Sequence, residues 1–99
     1  MKALYTQYIV EDMRLLVLRL LSEMPTYKAN SSVLRSALAA WGHEPSRDHV
    51  RTQLRWLEEQ GLVAIEDIAQ GVLLATLTDR GQDVAAGRAR VDGVKRPGA

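Results

Sequence analysis

The fold is decided by one stretch, "SRDHVRTQLRWLEEQGLV" (residues 46–63). Its apolar residues and its arginines both recur at helical spacing but on different sides, which predicts a helix from Ser46 to Gln60 with one buried and one charged face. Ser46 is a residue type that caps helix N-termini, and Gly61 is the type that follows a helix end. The two faces are Val50, Leu54 and Leu57 against Arg47, Arg51 and Arg55.

Two further helices are predicted before this stretch. The apolar residues of segment 5–24 follow helical spacing, and a short extended connection follows. A second helix is predicted between an N-cap among residues 30–32 and Gly42. About four residues then separate it from Ser46, which is the spacing of a helix-turn-helix. The predicted buried stripe of the second helix is Leu34, Ala37, Leu38 and Trp41.

A β-hairpin and a short helix are predicted after residue 61. Two β-prone runs, residues 62–68 and 72–77, are separated by the loop "AQG", which contains Gly71. Thr78 is expected to cap the short last helix. The predicted fold is therefore mainly α with a small β-hairpin. The order is helix, helix, turn, helix, β-hairpin (the wing) and short helix.

Composition and charge indicate one domain followed by a tail. The 99 residues carry a net charge of +1, but residues 1–86 hold nine basic and eleven acidic side chains, whereas residues 87–99 hold four basic and one acidic. The chain has no cysteine, which excludes disulfides and thiolate metal sites. Because the end of the chain is poor in apolar groups, we expect a domain of residues 1–88 and a flexible basic tail, residues 89–99.

Two stretches carry a resemblance to a known fold. "SRDHVRTQLRWLEEQGLV" and "ATLTDRG" (residues 75–81) resemble winged helix-turn-helix regulators of the MarR, PadR and ArsR type. The whole chain, including "GRARVDGVKRP" (residues 87–97), resembles a group of small proteins encoded by Mu-like bacteriophages and prophages. The resemblance implies a winged helix-turn-helix fold and a phage origin. With no apolar run long enough to span a bilayer, we expect no membrane association and a location in the cytoplasm of the bacterial host cell.

The charged face of the helix over residues 46–60 is the candidate DNA-binding surface. In a helix-turn-helix, exposed residues near the start of the second helix meet base edges, and arginine can grip guanine with two hydrogen bonds. Cations in the tail would add contacts to the backbone of double-stranded DNA. The expected DNA-binding residues are Ser46, Arg47, Asp48, His49, Arg51, Thr52 and Arg55, and the expected backbone contacts are Arg88, Arg90, Lys95 and Arg96.

Two features favour a protein partner instead. The hairpin tip contains Glu66 and Asp67 and no lysine or arginine, and the three arginines of the 46–60 helix are balanced by three carboxylates. Little net positive charge is then left for phosphates. Two functions stay open: a phage or prophage transcription regulator that binds DNA, and a winged-helix adapter that binds a protein without specific DNA recognition. A solvated charged face is the simplest interpretation of the arginines.

The first helix is apolar over more than one face. Leu15 and Leu18 fall outside its main stripe, and Tyr8 lies nearby. Exposed apolar patches on small proteins tend to be interfaces, so these three residues predict a homodimer. Two-fold symmetry would place two recognition helices about 34 Å apart, one turn of DNA. The alternative is that another element of the same chain covers this face.

Neither catalysis nor metal binding is expected. We find no nucleophile beside a base, no carboxylate pair and no phosphate-binding glycine loop in the sequence. The segment from His43 to His49 contains two histidines, but their spacing does not match a compact metal site. We therefore expect no enzyme activity, no metal and no cofactor.

Overall fold

The computed structural model describes residues 2–98. The elements in chain order are α1 (Lys2–Glu23), β1 (Lys28–Asn30), α2 (Ser31–Ala39), α3 (Arg47–Glu59), β2 (Val63–Ala69), β3 (Val72–Leu77) and α4 (Asp79–Ala86). A single 3₁₀ turn, Pro25–Tyr27, joins α1 to β1. None of the helices within residues 2–98 is both long and apolar enough to cross a membrane.

Polar side chains begin three of the helices, as the sequence predicts. Each side-chain oxygen accepts a hydrogen bond from a backbone N–H three residues further on. That N–H has no carbonyl partner within its own helix, so the capping side chain satisfies it. Gly61 follows α3 with a φ of 76°, a conformation that glycine adopts at little cost. The capping pairs are Asn30 with Val33, Ser46 with His49, and Thr78 with Gly81.

The sheet is antiparallel, and β3 is its central strand. The predicted hairpin of β2 and β3 is present, with an irregularity in the ladder between Asp67 and Ala69. On its other side β3 pairs with β1, where Ala29 lies opposite Ala75. The sequence predicts only an extended connection at β1, because three residues are too few to show the alternation of a strand.

One core joins the helices to the sheet. α1 contacts α2, β3 and α4, while α2 and α3 contact each other and the sheet. Each fully buried leucine contributes about 1.5–3 kcal/mol. The largest fully buried side chains are Leu18, Leu21, Leu34, Leu38, Leu54, Leu57, Leu62 and Val17. Trp41, predicted to complete the buried stripe of α2, is 64% exposed because α2 ends at Ala39 and the chain turns there.

The prediction that Leu15 and Leu18 form a dimer interface is wrong. Leu18 is fully buried within the protomer, and Leu15 is only 3% exposed. The reason is that α4 and the sheet both pack against α1, so the apolar surplus of α1 is covered by its own chain. Only Tyr8 of the three predicted interface residues is exposed.

The prediction of a flexible tail is also wrong. Residues 88–98, here called the C-terminal segment, pack back onto α1. Val91 and Val94 are buried, and the backbone N–H of Lys95 donates a hydrogen bond to the Glu11 carbonyl at 3.2 Å. These two valines supply apolar contacts that help to anchor an otherwise polar segment. The folded domain therefore extends beyond residue 88.

Arg14 of α1 fastens the C-terminal segment. Its guanidinium lies 3.7 Å from the centre of the Trp56 ring, a cation–π contact. It also donates to the Gln53 side-chain oxygen at 2.7 Å and to the Gly93 carbonyl at 2.9 Å. α1, α3 and the C-terminal segment therefore meet at one arginine.

We expect Gly93→Ala to loosen this junction. Gly93 has a φ of 99°, and a Cβ there would lie 2.7 Å from the Trp56 ring. Strain and overlap together should lower the free energy of unfolding by about 2 kcal/mol in urea titrations. Gly42→Ala is the matched control, because Gly42 has a φ of 87° with nothing within 4 Å of a Cβ. Equal losses of stability in both variants would contradict the close approach of Gly93 to Trp56.

Candidate nucleic-acid interface

α3 has the two faces that its sequence predicts. Val50, Leu54 and Leu57 are buried in the core, so the opposite face of the helix is turned outward. Ser46 caps α3, and its hydroxyl oxygen accepts the His49 backbone N–H at 3.0 Å. The outward face begins where α3 approaches α2 and the hairpin.

A polar pocket of about 360 Å³ lies where the starts of α2 and α3 meet the hairpin turn. Arg35 donates from Nε to the Pro45 carbonyl at 2.9 Å, which ties α2 to the start of α3. Ser31 accepts the Leu73 backbone N–H at 3.1 Å, which ties α2 to the sheet. We call this cavity the arginine–serine pocket. Its lining residues are Ser31, Ser32, Arg35, Ser36, Arg47 and Gly71.

The pocket has the chemistry of an anion site. Two guanidinium groups and three hydroxyls line it, and no aspartate or glutamate of the described chain does. Arg35 uses its Nε on Pro45, which leaves the Nη groups for another acceptor. Arginine donates in a planar fork that matches phosphate oxygens, and the positive end of the α2 dipole adds to the attraction. A phosphate group is the anion that this arrangement suits best.

Arg51 joins α3 to the hairpin turn. Its Nη2 donates to the Asp48 carboxylate at 2.9 Å, and its Nη1 donates to the Gly71 carbonyl at 3.2 Å. The side chain is 36% exposed, and its Asp48 partner is 85% exposed. Both hydrogen bonds are therefore accessible to water and can be exchanged for a ligand at modest cost.

Arg55 is held by carboxylates of its own chain. Its Nη1 contacts Glu58 at 3.1 Å, and its Nη2 contacts Asp67 of β2 at 3.2 Å. The hydrogen bond to Glu58, with smaller contributions from Asp67, raises the pKa of Arg55 above its ordinary value. The three arginines of the predicted stripe therefore have different surroundings. Arg47 lines the pocket, Arg51 bonds to the hairpin turn, and the positive charge of Arg55 is balanced by two carboxylates.

Two other predicted DNA-binding residues of α3 lie outside the pocket. Thr52 is exposed, and its hydroxyl donates to the Asp48 carbonyl at 3.1 Å. His49 is half-buried and lines a cleft with Ile9 and Met13 of α1. The structure thus turns His49 toward α1, although it follows Asp48 directly in the chain.

The predicted backbone contacts of the C-terminal segment lie elsewhere. Arg88 pairs with Asp83 at 3.0 Å, and Lys95 pairs with Asp12 at 3.2 Å. Arg90 and Arg96 line a separate cavity between α1 and the C-terminal segment. These four cations all lie away from the arginine–serine pocket, because the C-terminal segment packs on α1.

Sequence reasoning missed the contribution of α2 to this site. Its amphipathic pattern assigns Ser32, Ser36 and Arg35 to the solvent side of a packing helix, whereas they form one wall of the pocket. The available signal was "NSSVLRS" (residues 30–36), which places hydroxyls and an arginine in the first two turns of a helix. The sequence alone does not show that Arg47 faces these residues, so it could not identify them as part of a site.

His43 takes part in a hydrogen-bonded cluster with Asp12. His43 Nε2 lies 2.7 Å from Asp12, which also contacts Lys95. Burial alone would raise the pKa of Asp12, but the hydrogen bonds from His43 and Lys95 outweigh burial and lower that pKa below its ordinary value. Within residues 2–98, no three histidine, aspartate or glutamate side chains come together as a metal site would require.

Fold and site together define a small domain of four helices and a three-stranded sheet with a cationic pocket between two helices. The chain is 54% identical over 89 residues to the uncharacterized protein gp26 of Escherichia phage Mu, covering 90% of this chain and 91% of gp26. It is 49% identical over 76 residues to an uncharacterized protein of Haemophilus influenzae, covering 77% and 74%. The chain therefore belongs to the family of phage Mu gp26, and the expected association with Mu-like phages is confirmed. No protein-family model and no solved structure matches the chain.

Proposed function

We propose that the protein is a winged helix-turn-helix DNA-binding protein that regulates transcription for a phage or prophage. In this proposal α2 and α3 form the helix-turn-helix, and the hairpin of β2 and β3 is the wing. The observation that carries the proposal is the arginine–serine pocket. It gathers Arg35, Arg47 and three hydroxyls at the junction of the two helices.

A phosphate of the DNA backbone is the proposed occupant of the pocket. The first helix of a helix-turn-helix crosses the backbone, and the second enters the major groove with its N-terminal residues first. A phosphate held by Arg35 and Arg47 would therefore direct the start of α3 into the groove. Phosphate contacts of this kind fix the position of a protein on DNA without reading sequence.

Arg51 is the proposed reader of base edges. It lies one turn beyond Arg47 and would exchange Asp48 and the Gly71 carbonyl for a guanine. An exposed ion pair contributes about 0.2–1 kcal/mol, whereas two hydrogen bonds to guanine contribute about 1–3 kcal/mol of discrimination. The contact with Asp48 is therefore weak enough to be given up for a base edge.

The second candidate function is a winged-helix adapter that binds a protein. It is favoured by the charge of the hairpin, where Glu66 and Asp67 are exposed and Asp67 neutralises Arg55. A wing with this charge repels phosphate, so DNA binding in the first proposal depends on the α2–α3 junction.

The double variant Arg35→Ala/Arg47→Ala tests the DNA-binding proposal. Duplexes selected from a random pool are labelled, and binding is followed by fluorescence anisotropy. Each charge-assisted hydrogen bond contributes about 1.5–3 kcal/mol, so the Kd should rise about 100-fold or more. The slope of log affinity against log salt should also shrink by roughly 0.9 for each phosphate that the variant no longer neutralises.

The matched control is Arg19→Ala/Arg88→Ala, which removes the same charge from exposed positions on α1 and in the C-terminal segment. We expect its Kd to stay within about threefold of the parent, because both residues lie outside the pocket. Similar decreases of affinity in both double variants would mean general charge attraction. Failure of the parent protein to bind any duplex at low salt would favour the adapter.

A further inference from the structure

The first turns of α1 after Lys2 are a largely exposed stretch of helix without charged residues. Residues 3–9 are all exposed, and the first buried side chain of α1 is Met13. From Ala3 to Val10 the sequence contains no charged residue. A helical stretch of this length that faced only water would be expected to carry charges. The large apolar side chains of this region are Leu4, Tyr5, Tyr8 and Ile9, between 39% and 68% exposed.

These four side chains form one ridge. Positions three and four apart on a helix are neighbours, so Leu4 meets Tyr8, and Tyr5 meets Tyr8 and Ile9 on the same side. A helix end without tertiary packing is marginal in water, and a contiguous apolar patch on a small protein tends to be an interface. We call residues 4, 5, 8 and 9 the α1 ridge.

A groove of about 800 Å³ runs beside the α1 ridge, between α1 and the C-terminal segment. Tyr8 and Ile9 belong to both features, because they form one wall of the groove. Val91 and Val94 contribute apolar surface on the other side. One chain therefore carries a projecting apolar surface and an adjoining recess, lined by both apolar and charged residues, of a size to receive several side chains.

The charges at the groove are also suited to a second copy. Lys95 is paired with Asp12, but Arg90 and Arg96 form no ion pair within the described residues. Glu11 lines the same groove; its carboxylate accepts a hydrogen bond from Gln7 at 3.0 Å and is likewise outside the ion pairs of residues 2–98. Asp92, which is exposed, lines the groove as well and is also outside those ion pairs, so the groove offers two carboxylates and two guanidinium groups, and a two-fold copy would bring the complement of each.

We propose that a second copy of this chain covers the α1 ridge. The α1 helices of two protomers cross in antiparallel fashion near Tyr8, and the ridge of each lies in the groove of the other. In a two-fold dimer the same ridge and the same groove are used on both protomers. Over the two protomers together, these surfaces should bury roughly 1,200–2,000 Å², the size of a stable interface. The ridge and the groove share no residue with the arginine–serine pocket, so this inference is independent of DNA binding.

Sedimentation equilibrium without DNA tests this proposal. At tens of micromolar the parent should have twice the 11.0 kDa mass of one chain. Tyr5→Glu/Tyr8→Glu should sediment as a monomer, because each carboxylate would have to be buried in the interface. Trp41→Glu is the control, since Trp41 is 64% exposed and lies outside the ridge, and it should remain dimeric.

A charge exchange identifies the partner as a second copy. Glu11→Arg alone and Arg96→Glu alone should each weaken the dimer about tenfold or more, because each places like charges across the two-fold axis. The double variant carries both changes in both protomers and should recover affinity to within about threefold of the parent. A monomeric parent, a Tyr5→Glu/Tyr8→Glu variant that dimerises normally, or a double exchange that remains weak would overturn the proposal.

Discussion

Replacing Leu15 and Leu18 together with glutamate is expected to unfold the protein. Leu18 is fully buried and Leu15 is 3% exposed, at positions where α2, α4 and the sheet surround α1. A carboxylate buried without a partner costs several kcal/mol, and small domains are stable by only about 5–15 kcal/mol in total. Far-UV circular dichroism and amide dispersion in NMR spectra would report the loss of structure.

The control for this variant places the same two charges on the exposed part of the same helix. Leu4→Glu/Tyr8→Glu should keep the helical signal and a cooperative unfolding transition, since both side chains are about half exposed or more. A well-folded monomer of Leu15→Glu/Leu18→Glu would contradict the structure. It would restore the interface that the sequence alone predicts.

Gly81→Ala should destabilise the protein by about 3 kcal/mol. Gly81 is a buried residue of α4, and a Cβ there would lie 2.1 Å from the Leu62 carbonyl oxygen and 2.6 Å from Leu77 Cδ1. The Leu62 carbonyl also accepts the Thr78 backbone N–H at 3.1 Å, so it cannot move away without breaking that hydrogen bond. This steric cost exceeds the roughly 1 kcal/mol by which alanine is the better helix former.

Urea titration of Gly81→Ala beside Ala86→Gly would measure this effect. Ala86 is exposed and is the last residue of the same helix, so its replacement should cost less than the roughly 1 kcal/mol of a helix interior. If Gly81→Ala were as stable as the parent, the close approach of α4 to Leu62 would not exist.

The helix boundaries and the face of α3 could be predicted because they depend on neighbours in sequence. Asn30, Ser46 and Thr78 cap their helices through a backbone N–H three residues away. The burial of Val50 and Leu54 follows from the sharp separation of apolar and charged positions on α3. Local information is sufficient wherever both partners of an interaction lie within about one helical turn.

Contacts between distant parts of the chain could not be predicted. The covering of Leu15 and Leu18 depends on α4, which lies some sixty residues later in the sequence. The ordering of the C-terminal segment depends on Arg14, which bonds to Gly93 across 79 positions. Amphipathic spacing shows that a face is apolar, but it does not show which element covers that face.

In the candidate site, too, contacts between sequence neighbours could be predicted and contacts between distant residues could not. The ion pairs of Arg51 with Asp48 and of Arg55 with Glu58 join residues three positions apart on one helix, so local spacing is sufficient to suggest them. It could not indicate the ion pair between Arg55 and Asp67, which requires the hairpin to fold against α3. The role of Arg35 likewise depends on the packing of α2 beside the start of α3.

Amide chemical-shift mapping tests the proposal that DNA binds where α2, α3 and the hairpin turn meet. Isotope-labelled protein is titrated at low salt with duplexes selected from a random pool. We expect saturable shifts in residues 31–36, in residues 46–52 and at Gly71, and we expect Arg35→Ala/Arg47→Ala to abolish most of them. No shift with excess duplex, or shifts confined to α1 and the C-terminal segment, would contradict it.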